Sequence, residues 1–397
     1  MSSIKIADDV YWVGVKDPNL RIFDIIMPTK YGTTYNAYLV KGEKIALIDT
    51  VKKGFTDEYF ANIEEITPLD TIDYLIVNHT EPDHSGSMVE LLKRSPNIQV
   101  VCASTAKIFV QNILNSGNNL TGLKDNAFFE LGGKKLTIKL TPYMHWPDTM
   151  MEYLVEDGIL FSGDGFAAHY SGDSLFSDEL PNDIDLDREA LYYFDTIMRP
   201  FTGHIRKNLP KLDELDIKMV APSHGPLFRK NATAYINKYK EWSVDKAEGK
   251  NQVAIFYATS YGNTQKIAER VADNLNKAGF LTPVHDVTAC DKMKARELIE
   301  ESKAIIIGTP TFNGDAVKPV WEFVNLFSTV DTRGKKAATF GSYGWSGEGT
   351  KLVSDRLTGM KIKVLPEPFR AKLVPSDKDM AEVDRFSGEI VNFINEG

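Results

Sequence analysis

The stretch Asn78-His79-Thr80-Glu81-Pro82-Asp83-His84 constrains the fold of this 397-residue chain more than any other feature. It packs four potential metal ligands into six residues, directly behind the apolar run Tyr74–Val77, which reads as a strand. Three more candidates stand in the same relation to a strand. His145 follows Leu136–Leu140, Asp164 follows Ile159–Phe161, and His224 follows Met219–Ala221. If these strand ends align at one edge of a sandwich, seven side chains spread from His79 to His224 come together.

An isolated His or Asp after a strand is ordinarily a turn or cap residue. Four imidazoles and three carboxylates in one place are different, because without a cation they repel or stay unsatisfied. Seven donors exceed the three or four that one zinc site uses. They suit two metals with nitrogen and oxygen donors, one carboxylate bridging, and open positions for substrate. Ligation without thiolate points to iron or manganese more than to structural zinc, although the affinity order alone leaves zinc open.

The remainder of the composition narrows the class. Hydrophobic residues make up 43% and charged residues 25%, an ordinary globular balance. No apolar run approaches the roughly 20 residues that span a bilayer, and no signal peptide is visible in MSSIKIADDVYW. The two cysteines, Cys102 and Cys290, are too few for a disulfide framework, so a reducing cytoplasm is the expected location. Residues 251–397 carry 19 Lys+Arg against 19 Asp+Glu, so the whole net charge of −9 falls on residues 1–250. An acidic surplus disfavours nucleic acid and anionic membranes as partners.

The change in charge coincides with a change in texture. Around 237–252 the chain is polar and without strand character, and then Val253–Ala258 opens a new apolar run. Two domains are therefore expected, 1–250 and 251–397. The first carries short strands also at Tyr38–Val40, Ile45–Ile48 and Val100–Cys102, with helical patterns at 56–66, 85–94, 105–115 and 187–199. Several strands lack an intervening helix, which favours a mixed αβ sandwich. In the second, Val253–Ala258, Ala304–Gly308 and Ala337–Gly341 are apolar without alternation, as in strands buried on both faces, and each precedes a helical pattern, 264–278, 316–328 or 349–358. That is a doubly wound parallel sheet, whose ligands sit at the carboxyl ends of strands.

His79-x-Glu81-x-Asp83-His84, then His145, Asp164 and His224, resembles the ligand pattern of flavodiiron proteins (A-type flavoproteins). The resemblance takes in His145-Trp146-Pro147-Asp148 and Leu47-Ile48-Asp49-Thr50 and covers nearly the whole chain. It implies a metallo-β-lactamase-like αββα sandwich followed by a flavodoxin-like domain. Hydrolases of that superfamily carry His-x-His-x-Asp-His, whereas this chain has Glu81, a hard carboxylate, at the second position. By the resemblance His79, Glu81 and His145 hold one iron, Asp83, His84 and His224 the other, and Asp164 bridges them. In some members the histidine matching His84 is turned away and replaced by water. The segment Phe23-Asp24-Ile25-Ile26-Met27-Pro28 departs from the His-Gly-Tyr that many members carry there. His169, five residues after Asp164, is a candidate neighbour of the ligands, while His204 and His285 read as structural.

Three loops of the second domain suit a flavin. Thr259-Ser260-Tyr261-Gly262-Asn263-Thr264 follows the first strand and opens a helix, so its hydroxyls and amides can cradle a phosphate without a lysine. Thr309-Pro310-Thr311-Phe312-Asn313-Gly314 and Ser342-Tyr343-Gly344-Trp345-Ser346-Gly347 follow later strands of the same sheet. Together they form a flavodoxin signature, with Trp345 placed to stack on the ring. The match implies FMN rather than FAD, since no GxGxxG occurs.

A diferrous pair and FMN hydroquinone each store two electrons, which matches the four that reduce dioxygen to water. Nitric oxide needs only two per pair of molecules. The leading reading is a flavodiiron oxidoreductase acting on dioxygen, nitric oxide or both. The alternatives are a metallo-β-lactamase-superfamily hydrolase fused to a flavodoxin domain, which Glu81 disfavours, and an electron-transfer flavoprotein with a vestigial metal site. No rubredoxin-like pair of CxxC motifs occurs, so the electron donor is expected to be a separate molecule. The resemblance implies rubredoxin or the reduced deazaflavin coenzyme, and a head-to-tail homodimer or a dimer of dimers.

Overall fold

The computed structural model describes residues 2–115 and 119–396. By backbone contacts the chain divides into residues 1–244 and 245–397.

In the first unit two sheets enclose one core. The larger runs in the order Ile4–Ala7, Val10–Trp12, Tyr38–Lys41, Ile45–Ile48, Tyr74–Val77, Gln99–Ala103, Leu120–Leu123. Its pairings are antiparallel as far as Ile45–Ile48 and parallel from there on. The smaller runs Phe128–Glu130, Lys135–Leu140, Met150–Leu154, Ile159–Gly163, Met219–Pro222, with one parallel pair at its end. Leu39, Leu75 and Val100 of one sheet join Leu136, Ile138 and Leu160 of the other in a single buried cluster. The helices Thr56–Glu64, Lys107–Leu114 and Ala234–Trp242 add Tyr59, Val110 and Tyr239 to that cluster.

The second unit is a sheet in the order Val284–Asp286, Val253–Tyr257, Ala304–Phe312, Lys336–Tyr343, Lys363–Val364, with Phe369–Lys372 also beside Lys336–Tyr343. Its strands pair in parallel apart from the short turn-back Asp315–Ala316. Successive residues feed two separate cores. Ile305 and Ile307 pack with Leu298, Phe323 and Leu357 on one face, and Ala304 and Ile306 pack with Val271 and Ile390 on the other. This accounts for the unbroken apolar runs, since every position of Val253–Tyr257 and of residues 304–308 is buried.

The structure adds elements that the apolar pattern does not reveal. Ile4–Ala7 is a short edge strand, and Val10–Trp12, between it and Tyr38–Lys41, is a three-residue strand of mixed composition. The 19-residue helix Asp377–Asn395 starts at a reciprocal cap between Ser376 and Asp379, a signal legible as Ser-x-x-Asp. The expected helix at 187–199 becomes an α-helix, Leu186–Tyr193, followed by a π-helical turn, Phe194–Met198. Among the described residues no helix is long and apolar enough to cross a membrane.

Candidate metal centre

The turn that carries four of the candidates is shaped by two buried carboxylates. The Asn78 amide donates to Asp49 Oδ1 at 2.8 Å, and Thr80 donates to Asp148 Oδ2 from its amide at 3.0 Å and its hydroxyl at 2.7 Å. Glu81 caps a single helical turn, Pro82–Ser85, with proline at its first position. That turn points Asp83 and His84 into the protein. Thr50 holds its far end, donating to the His84 carbonyl from both its amide (2.8 Å) and its hydroxyl (2.7 Å).

All seven candidates meet at the sandwich edge. His79, Glu81, His145 and Asp164 form one group and Asp83, His84 and His224 a second, with the ligand atoms of each group within 4.8 Å of one another. Asp164 stands between the two. Its Oδ2 is 2.9 Å from His145 and 3.7 Å from His79, while its Oδ1 is 3.3 Å from His84 and 3.6 Å from His224. Glu81 lies 2.9 Å from His145, and Asp83 lies 3.3 Å from His224 and 3.4 Å from His84. Glu81 and His145 keep some exposure and mark the mouth, and the other five are buried.

The donor set fits two cations. Among the described residues, both ring nitrogens of His79, both carboxylate oxygens of Asp83, His84 Nδ1 and Asp164 Oδ1 are buried without a hydrogen-bond partner, a concentration of unsatisfied atoms that a native interior seldom carries. Protons and cations compete for the same nitrogens. Burial opposes protonation of His79, but Asp164 and Glu81 outweigh it and raise the imidazole to about 10. His145 is raised to about 9 against its burial by Asp164 and Glu81, and His84 to about 8 by Asp83 and Asp164. Burial likewise opposes ionisation of Glu81, yet His145 and His79 hold it down to about 2.

His224 has its tautomer set by the backbone. Its Nδ1 lies 2.6 Å from the Thr34 carbonyl, so the proton sits there and Nε2 faces the cluster as a lone pair. His169 joins neither group. Its Nδ1 is 3.2 Å from the Thr33 hydroxyl, its ring packs 4.5 Å from Phe23 and 4.9 Å from Tyr193, and burial pushes it down to about 3. Phe23 also packs 5.3 Å from the His224 ring, at the base of a hairpin whose tip residues Asp24 and Ile25 have φ of 44° and 59°. His204 stacks on Tyr143 and His285 on Phe256, outside both groups. Thr33, Thr34 and Tyr193 are neighbours that no sequence spacing announces.

The flavin loops lie at the carboxyl ends of Val253–Tyr257, Ala304–Phe312 and Lys336–Tyr343. The helix Asn263–Lys277 starts at Gly262, with φ of 78° and no side-chain cap, so its first amides are available to a phosphate. Thr264 Oγ1 and Ser342 Oγ, 2.9 Å apart, tie the first loop to the third. The middle loop is partly strand: Ala304–Phe312 continues to Phe312 and turns back through Asn313-Gly314, both left-handed, to Asp315–Ala316. Tyr261, Phe312 and Trp345 are 90%, 67% and 80% exposed. Three large rings left in solvent around one uncapped helix terminus fit a planar ligand bearing a phosphate.

Residues 33–225 match the ODP family of beta lactamases, and residues 255–384 match flavodoxin. The chain is 38% identical to a flavo-diiron protein of Clostridium acetobutylicum over 99% of its length and 100% of the relative's. It is 33% identical to a nitric oxide reductase of Moorella thermoacetica over 95% of each chain. Among solved structures, the rubredoxin oxygen:oxidoreductase of Desulfovibrio gigas superposes with a TM-score of 0.68 at 28% identity, covering 99% of this chain and 98% of that one. The flavodiiron protein of Giardia intestinalis superposes with a TM-score of 0.66 at 26% identity, covering 99% and 97%.

Proposed function

Because the chain belongs to the flavodiiron (type A flavoprotein) family, we propose that His79, Glu81 and His145 hold one iron, Asp83, His84 and His224 the other, and Asp164 bridges them. The protein is an oxidoreductase with a diiron centre in its beta-lactamase-like unit and FMN on its flavodoxin unit. The observation that carries the ligand assignment is Asp164, whose two oxygens face different groups. When bound, the irons and FMN supply the electrons that reduce dioxygen to water, or nitric oxide to nitrous oxide and water.

The chain's own residues prepare the site. Thr34 keeps the His224 proton on Nδ1 and so presents Nε2 to the metal position. Asp49 and Asp148 hold the 78–81 turn rigid, so the donors need little rearrangement. Phe23 beside His224, and Trp146 beside His79 and His145 at 6.3 and 6.4 Å, wall the centre with apolar rings. Glu81 and His145 line the open side, where a diatomic substrate enters.

The electron donor is a separate rubredoxin-type carrier, with the reduced deazaflavin coenzyme as the second candidate. A solved relative is named for rubredoxin, and Cys102 and Cys290, one buried and one not, cannot form a four-thiolate iron site. In a head-to-tail homodimer the flavin of one chain would serve the metal centre of the other. The test is an iron and flavin assay on the purified protein, with consumption of each gas measured under reduced rubredoxin. Two irons and one FMN per chain with gas consumption support the proposal. Zinc occupancy with hydrolytic activity and no gas consumption would overturn it.

A further inference from the structure

Behind the metal centre lies a run of aromatic side chains that neither the ligand set nor the flavin loops use. Tyr193 is fully buried, with its ring 6.0 Å from that of His224, and its hydroxyl has no hydrogen-bond partner among the described residues. It ends its α-helix where the chain enters the π-helical turn Phe194–Met198, and such turns collect at functional sites. Tyr239 is also fully buried; its hydroxyl meets no side-chain partner and lies against the Phe166 backbone. Phe166, two residues after Asp164, packs on the Tyr239 ring at 4.8 Å, and Phe194, which follows Tyr193 in the chain, packs on it too. The next ring outward is Trp242, 5.8 Å from Tyr239, and Phe194 packs on both at 4.9 and 5.3 Å. Trp242 is half-buried, at the end of the helix Ala234–Trp242.

Phenylalanine would fill either tyrosine position without burying an unsatisfied oxygen. What the phenols add is redox activity. We propose that Tyr193, Tyr239 and Trp242 form an electron path that drains oxidising equivalents from the metal centre when dioxygen arrives while fewer than four electrons are stored. The inference rests on the diiron reading above. In each passage one electron leaves the Trp242 indole and reaches the centre by way of Tyr239 and Tyr193, replacing one of the missing electrons. The indole cation left behind gives its Nε1 proton to water, and a thiol then returns one hydrogen atom to the neutral radical. The order of the path follows from proton access. Neither buried hydroxyl has a hydrogen-bonded side-chain acceptor among the described residues to take its proton. Only Trp242 has solvent within reach, so the radical comes to rest there.

The experiment uses the holoenzyme reduced with two electrons per chain, exposed to dioxygen in the presence of a nitrone spin trap, with adducts located by peptide mass spectrometry. Iron, FMN and dioxygen consumption are measured on the same samples, so a failure of the diiron reading is visible separately. An adduct on Trp242 is expected. It should vanish in Trp242→Phe and be lost in Tyr239→Phe, while iron and FMN contents stay those of the parent. An iron-free sample should give none. Trp146 is the competing indole, and an adduct there with none on Trp242 would overturn the proposal. So would the absence of any adduct in iron-loaded protein, a Trp242 adduct without iron, or a Trp242 adduct undiminished in Tyr239→Phe.

Discussion

The Nε2 atoms of His84 and His224 face one another at 3.0 Å, both side chains fully buried. His224 keeps its proton on Nδ1, so its Nε2 is a lone pair aimed at His84. The same His84 nitrogen is 3.4 Å from Asp83 and 3.3 Å from Asp164. His84 is therefore turned into the cluster, although relatives exist in which the matching ring points away. Replacing it by His84→Asn should weaken the second metal position by about tenfold or more, on the scale of ligand-environment effects. Iron content after dialysis should fall from two toward one per chain with FMN retained. Two tightly held irons in the variant would remove His84 from the ligand set.

In the proposed assignment Glu81 sets the chemical preference of the other position. Glu81→His substitutes a neutral, softer imidazole and restores the His-x-His-x-Asp-His pattern of the hydrolases. The charge that holds ferric iron is reduced, and zinc, once bound, has no redox step. The variant should fold and keep its flavin spectrum. Offered both metals, it should take up less iron relative to zinc, and gas reduction should drop by about tenfold or more. Full iron loading with undiminished turnover would count against Glu81 as a ligand.

Gly163, the residue before Asp164, has φ of 55°, and a Cβ there would lie 2.0 Å from the Asn78 side-chain oxygen. Gly163→Ala therefore combines a left-handed backbone penalty with overpacking, together at least about 2 kcal/mol. The melting temperature of the first unit should fall by roughly 4–8 °C. Asn78 precedes His79, so the metal centre should be disturbed as well, which iron analysis would register. A thermally unchanged variant would mean that the 78 and 163 turns are looser than their packing indicates.

A pH effect is expected in the flavodoxin unit. Asp384 receives Arg270 Nε at 2.6 Å and Nη2 at 2.7 Å, and Asn274 at 2.7 Å. The hydrogen bonds from Arg270 and then Asn274 lower its carboxyl from the ordinary 3.8 to about 2. A carboxyl depressed in the folded state stabilises it above the unfolded value, and that contribution disappears as pH falls from 3.8 toward 2. Because the pair is exposed, its size is less than about 1 kcal/mol. Amide exchange in the helices Asn263–Lys277 and Asp377–Asn395, which the pair links, should be faster in Asp384→Asn than in the parent at pH 6. The two should converge only as the pH falls to about 2. A difference undiminished at about pH 2 would assign the effect to packing instead of charge.

The clustering of the seven ligand candidates and the two sheet types were legible in the sequence, because each depends on local rules. A buried parallel strand must be apolar at every position, as Ala304–Gly308 is, and a strand end offers its polar residues to one edge. The short strands Ile4–Ala7 and Val10–Trp12 carry no such signature. Three or four residues are too few for a pattern to show, and the half-buried edge strand Ile4–Ala7 tolerates mixed composition. Thr309–Gly314 read as a loop since nothing local distinguishes its extended half from a turn; the pairing of Thr311 with Ala316 and Phe312 with Asp315 decides that it is strand.

The sequence by itself determined which side chains are available for two metals and a flavin, and that they follow strands. Only the tertiary structure decided how they are shared out. Asp164 presents one oxygen to each group because Ile159–Gly163 pairs in parallel with Met219–Pro222, with a register shift between Phe161 and Gly163, which places it beside His224, while the facing sheet supplies the 79–84 turn. The same holds for the Thr34 carbonyl that fixes the His224 proton, 190 residues away along the chain. Such contacts arise from the closure of two sheets over one core, where partners are chosen by distance in space and leave no periodicity along the chain.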